Sequence, residues 1–170
     1  MINHFKHSLK KNFILFLLLF SMLITLSGCA TDPHNFSTGD LTITLTKQFT
    51  EETKSGFDIY LESDSVIFSA IEETYEELEN VGYEYLSLED YCSELLSSNK
   101  IPESALSKRG NYYYFTNEKT ISNTSYTYVH CMFMGNNSYW LCAFTCKTKD
   151  YKKFQDNIME WADSIVIDIK

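Results

Sequence analysis

Apolar and polar residues alternate strictly over Leu41-Thr42-Ile43-Thr44-Leu45, with threonine at each even position. A period of two puts residues 41, 43 and 45 on one face, so the segment reads as a half-buried strand. Residues 56–61 and 66–71 are the next strand candidates, separated by the turn-like Glu62-Ser63-Asp64-Ser65. A helical or irregular acidic stretch then runs to Glu79, and Asn80-Val81-Gly82 closes it. The clearest helix follows Ser87. Leu88, Tyr91, Cys92, Leu95 and Leu96 share one face, with Glu89, Asp90 and Glu94 opposite. Ser87-x-x-Asp90 resembles a capping box, and the helix ends near Asn99, ahead of Pro102.

Residues 112–115 open an aromatic strand, and residues 126–134 and 139–146 flank Gly135-Asn136-Asn137-Ser138. Asn and Gly tolerate the positive φ of tight turns, so this is a strong hairpin signal. A turn about Asn136-Asn137 sets residues whose numbers sum to 273 opposite each other. Cys131 then faces Cys142, beside Val129, Phe133, Trp140, Phe144 and Cys146, while Tyr128, Met132, Met134, Tyr139 and Leu141 share the other face. A last helix runs from about residue 150 to 164, with Tyr151, Phe154, Ile158, Trp161, Ala162 and Ile165 at helical spacing. Trp161 is expected to contribute heavily to the core. Residues 166–169 add a short terminal strand. Strands, a helix, antiparallel strands and a helix, in that order, argue for an α+β fold with a mainly antiparallel sheet.

Ahead of this domain, an apolar run over residues 13–26, broken only by Ser21 and Thr25, follows the basic residues Lys6, Lys10 and Lys11. That pattern reads as a secretory signal, too short for an ordinary membrane span of roughly 20 apolar residues. It ends in Leu26-Ser27-Gly28-Cys29, which resembles a lipobox, where bacterial lipoproteins are diacylated on cysteine and cleaved just before it. An uncleaved anchor helix is the alternative; either way the domain lies outside the cytoplasm. The expected organisation is a signal over 1–28, a lipidated polar tether over 29–40 and one domain over 41–170.

Charge narrows the partners. The whole chain has 14 Lys and Arg against 23 Asp and Glu, and residues 1–28 take three lysines and no acid, leaving 11 against 23, or −12. So acidic a domain is a poor nucleic-acid ligand and is repelled by anionic headgroups, so the membrane partner is reached through diacylglycerol on Cys29.

The segment Leu-Thr-Ile-Thr-Leu-Thr-Lys-Gln-Phe at 41–49, the 87–99 helix, and Tyr-Trp-Leu-Cys-Ala-Phe at 139–144 followed by Tyr151 and Trp161-Ala162-Asp163-Ser164-Ile165 together resemble the PsbP-like lipoproteins of Gram-positive bacteria. The resemblance spans most of residues 41–167 and rests on periodicity rather than a signature motif. Those proteins often carry a proline after the first strand, where this chain has Thr46. The resemblance implies an α/β/α sandwich around an antiparallel sheet and brings no catalytic motif with it.

Candidate chemistry is sparse. Beyond residue 28 the histidines are His34, in the tether, and His130, in a strand, which excludes a His-rich zinc site. Cys131 and Cys142 lie on the sheet face away from His130, so a Cys–His dyad is not supported. Cys92, Cys131, Cys142 and Cys146 read as buried free thiols; a Cys131–Cys142 disulfide, which an extracytoplasmic site permits, is the alternative. Glu72, Glu73, Glu76, Glu77 and Glu79 read as a solvated acidic face rather than a calcium site, because no Asp-x-Asp-x-Asp-Gly loop is present. No metal, cofactor or catalytic residue is expected.

The surface carrying Tyr128, Met132, Met134 and Tyr139 is the candidate partner-binding face, unless helices cover it. The functional expectation is a non-catalytic binding or accessory module for an envelope or secretion partner, a protein or peptide. The alternative is a surface hydrolase using paired carboxylates among Glu72, Glu73 and Glu76.

Overall fold

A computed structural model of the protein describes residues 32–83 and 87–169, so the signal-like segment and Cys29 lie outside the described residues. The domain is α+β, with two antiparallel sheets and helices packed against them. The smaller sheet has strand order β1-β2-β10, from Pro33–Thr38, Leu41–Thr46 and Val166–Ile167. The larger has seven strands in the order β3-β4-β5-β9-β8-β7-β6. These are Thr50–Glu51, Ile59–Glu62 and Val66–Thr74 (β3–β5), then Ser107–Arg109, Tyr112–Ile121, Thr124–Met134 and Ser138–Lys147 (β6–β9). Helix α1 covers Tyr75–Asn80, α2 Leu88–Ser98 and α3 Thr148–Asp163.

The apolar alternation of β2 becomes a core face: Leu41, Ile43 and Leu45 are buried with threonines between them at intermediate exposure. They pack with Phe68, Phe144 and Trp140 of the large sheet and with Ile158 and Ala162 of α3. A second cluster on the opposite face joins Tyr91, Cys92 and Leu96 of α2 to Tyr113, Phe115, Met132 and Tyr139. Fully burying a side chain such as Leu or Phe contributes about 1.5–3 kcal/mol, so the sheet is held from both sides. Helix, sheet and helix thus form three layers.

The β8–β9 pairing has the register expected from the turn: Cys131 opposes Cys142 and Met134 opposes Tyr139. Ser87 caps α2 by accepting from the Asp90 amide at 3.2 Å. Helix α1 begins with a full capping box, Thr74 accepting from the Glu77 amide and the Glu77 carboxylate accepting from the Thr74 amide. That box fixes where β5 stops and α1 starts within the acidic stretch.

Two expectations are corrected. Residues 33–38, read as part of a tether, form β1 and pair with β2 along their whole length. The chain doubles back at Gly39, whose φ of +55° suits glycine, and Ser37 and Asn35 reach Thr42 and Thr44 through side-chain hydrogen bonds. As an edge strand it is mostly solvent-exposed, which is why its sequence looks like a linker. Trp161 is only half-buried, edge-on to Phe49; the fully buried indole is Trp140, whose Nε1 donates to Asp40 at 2.6 Å.

Candidate functional site

Strand alternation decides which side chains of the large sheet can meet a partner. Odd residues of β7 and β9 and even residues of β8 share the face on which α2 lies. At one end α2 covers that face. Met132 and Tyr139 are 0% and 1% exposed there, so these two members of the candidate binding surface are core residues. The physical reason is Tyr91, which stacks on Tyr139 with ring centroids 4.1 Å apart and donates its hydroxyl to Glu73 at 2.8 Å. Met134 is half-buried at the edge of the same cluster. Tyr128, six residues before Met134, lies beyond the helix.

Between the C-terminal half of α2 and the uncovered part of the sheet runs an open groove of about 420 Å³. Phe115 and Asn117 of β7, Tyr128 and His130 of β8 and Leu141 of β9 form its sheet side; Leu95, Asn99 and Ile101 form the helix side. Glu73 and Lys119 also line it. An adjoining hollow of about 320 Å³ between α1 and α2 shares Glu73, Leu95 and Asn99, so the concavity continues along the helix. The volume falls in the range of small-molecule and side-chain pockets.

His130 gives the groove its distinctive chemistry. Its ring stacks on Phe115 at 4.6 Å and lies nearly parallel to Tyr128 at 6.0 Å. Nε2 is 3.2 Å from the Asn117 amide oxygen, which can only accept, so Nε2 carries the proton and donates. Nδ1 is then a bare acceptor, and it is buried with no hydrogen-bond partner among the described residues. Burial holds the imidazole at a pKa of about 4, well below its ordinary value of 6.5, so it is neutral at physiological pH. A buried unsatisfied acceptor costs about 1–3 kcal/mol and calls for an explanation. Sequence reasoning placed His130 in a strand but not in a groove, because the groove depends on where α2 ends.

The four cysteines among the described residues lie in the core. Cys92, Cys131, Cys142 and Cys146 are buried and unbonded. Gly135 donates to the Ser138 carbonyl at 2.8 Å, so ladder alternation makes Cys131 and Cys142 a hydrogen-bonded pair. In such pairs the side chains stand farther apart than in the alternate type. Burial raises the Cys92 thiol to about 12 and both Cys131 and Cys142 well above the ordinary thiol range.

The carboxylates divide. Glu72 turns toward Trp140 and accepts from Ser138 at 2.7 Å, whereas Glu73, its neighbour on β5, accepts from Tyr91 on the other face. Glu76 is exposed on α1, and Glu77 is used in the cap. Among the described residues no group of three or more His, Cys, Asp or Glu side chains is arranged to hold a metal ion.

No family model matches the chain, and no curated protein matches it in sequence. Among solved structures it is similar to a crystal structure of a protein from Bacteroides thetaiotaomicron VPI-5482, with a TM-score of 0.53 and 14% identity. That match covers 80% of this chain and 48% of the other, so the chain spans about half that protein's length. What is shared is the fold. The solution structure of cyanobacterial PsbP (CyanoP) from Synechocystis sp. PCC 6803 is also similar, at a TM-score of 0.37 and 10% identity over 84% of this chain and 96% of that one.

Proposed function

We propose that this chain is a lipid-anchored, extracytoplasmic binding module of the PsbP-like lipoprotein kind, attached through diacylglycerol on Cys29. Its binding site is the groove beside α2, and its partner is a protein or peptide segment of an envelope or secretion complex. The observation that carries the reading is the groove wall itself, where the neutral His130 ring lies between Phe115 and Tyr128, across from Leu95 and Ile101 on the helix side. Tyr128 and Leu141 supply apolar contact to the partner, and Asn99, Asn117 and Lys119 supply polar groups. The reading is non-catalytic: Glu72 and Glu73 leave β5 on opposite faces, and although Glu72 and Glu76 line one open hollow with Asp40 and Glu79, Glu72 is engaged there by the Ser138 hydroxyl.

Two substitutions separate anchor from site. With Cys29→Ala, incorporation of a labelled fatty acid should disappear while the groove still binds. With Tyr128→Ala, labelling should persist while envelope proteins held by the wild-type chain are lost. Fatty-acid labelling that survives Cys29→Ala contradicts the anchor, and unchanged retention by Tyr128→Ala contradicts the groove.

A further inference from the structure

We propose that the outer edge of β7, from Thr116 to Thr120, is a strand-addition site for an extended peptide carrying a basic side chain opposite Glu118. Asn117 and Lys119 of this segment also line the groove, but the edge engages a strand through the outward backbone groups of Thr116, Glu118 and Thr120, and the inference does not depend on the groove's being occupied.

The turn between β7 and β8 fixes which backbone groups point outward. Ser122 and Asn123 have φ of 48° and 65°, and Ile121 pairs directly with Thr124. Two such central residues make a type I′ hairpin, whose flanking residues form a hydrogen-bonded pair. Hydrogen-bonded and non-hydrogen-bonded pairs then alternate along the ladder. Residues 121, 119, 117 and 115 direct their N–H and C=O groups at β8; residues 120, 118, 116 and 114 direct theirs outward. At Tyr114 and Tyr112 this outward edge is taken by β6, which pairs with residues 112–114 and stops. Past that point Thr116, Glu118 and Thr120 are exposed and make no further backbone hydrogen bonds among the described residues. Three consecutive outward N–H and C=O pairs are what an added strand engages.

The side chains choose the occupant. Glu118 and Lys119 are exposed and make no ion pair among the described residues. Glu118 lies across from neutral Thr127 on its inner side, so its charge is left for whatever lies outside. A second copy of β7 added about a two-fold axis through residue 118 would set Glu118 against Glu118, and like charges directly opposite are destabilising. An extended segment with lysine or arginine at that position meets an attractive charge instead, and the acidic domain favours its approach. The charge at Glu118 thus selects a basic strand-forming peptide over that self-pairing.

The test uses a synthetic peptide, acetyl-Thr-Lys-Val-Lys-Thr-Lys-Val-amide, and its counterpart with glutamates in place of the lysines. We expect the lysine peptide to bind at least about tenfold more tightly, with weaker binding at higher salt. Amide exchange should slow at Thr116, Glu118 and Thr120 in the complex. Glu118→Pro removes an outward N–H without touching the β8 ladder and should abolish binding. Glu118→Lys, which keeps the strand intact, should weaken binding of the lysine peptide by a similar factor of about ten. Absence of binding at millimolar peptide, equal affinity for both peptides, unaltered binding by Glu118→Lys, or exchange protection confined to other strands would each overturn the proposal. So would self-association protecting the same three amides.

Discussion

Tyr91 of α2 lies flat on Tyr139 of β9, its ring plane within 6° of parallel, while its hydroxyl bonds to Glu73 of β5. One side chain thereby ties the helix to two strands and sets how far along the sheet α2 reaches. Burial and the adjacent Glu73 carboxylate hold the phenol protonated well above its ordinary range. Tyr91→Phe keeps the stack and removes the donor, which should cost about 1–3 kcal/mol. Tyr91→Ala removes both and leaves a cavity, so it should cost about 3–5 kcal/mol. Urea unfolding midpoints measure the two. Equal losses would mean that the stack contributes nothing to holding α2.

The depressed pKa of His130 makes stability depend on pH. The unfolded imidazole takes up a proton near 6.5, whereas the buried one resists protonation down to about 4. Between those values the unfolded state binds more protons, so stability is full above pH 6.5 and falls as the pH drops toward 4. The loss approaches about 3 kcal/mol at 1.36 kcal/mol per pH unit. His130→Phe, which preserves an aromatic ring against Phe115, should flatten this part of the curve. Unfolding measured at pH 7 and pH 5 would contradict the assignment if both proteins lost stability equally.

Thiol chemistry should be silent in the folded state. With Cys92, Cys131, Cys142 and Cys146 buried and their pKa values raised, a charged thiol reagent should find none of them in a protein lacking residues 1–29. Four should react after unfolding without reductant. Two missing thiols would instead mean a Cys131–Cys142 disulfide.

Much of this fold is legible in the sequence where one residue class repeats at one period. The Gly135–Ser138 turn fixes the β8–β9 register, and the alternation of Leu and Ile with Thr fixes β2. The Thr74-x-x-Glu77 box marks a helix start inside the acidic run expected to be helical or irregular, an expectation that followed the acidic residues and not the capping pattern. Strands β1, β3 and β6 carry no such pattern, because they are edge elements with exposed side chains. The candidate face illustrates the other limit. Both faces of the β8–β9 hairpin look apolar, and composition cannot say which part is covered. A helix of 11 residues spans about 16 Å, against about 36 Å for an 11-residue strand, so α2 cannot shield all of β8 even lengthwise. It therefore buries Met132 and Tyr139 and leaves Tyr128 and His130 in a groove.

The most direct measurement places a photo-crosslinking amino acid at position 128 of the anchored protein in intact cells, with the same group at exposed Lys152 as the comparison. We expect a discrete protein adduct from position 128 that is absent from position 152 and diminished by a second substitution, Leu141→Ala, in the groove. No adduct at 128, or the same adduct from both positions, would contradict a binding groove beside α2.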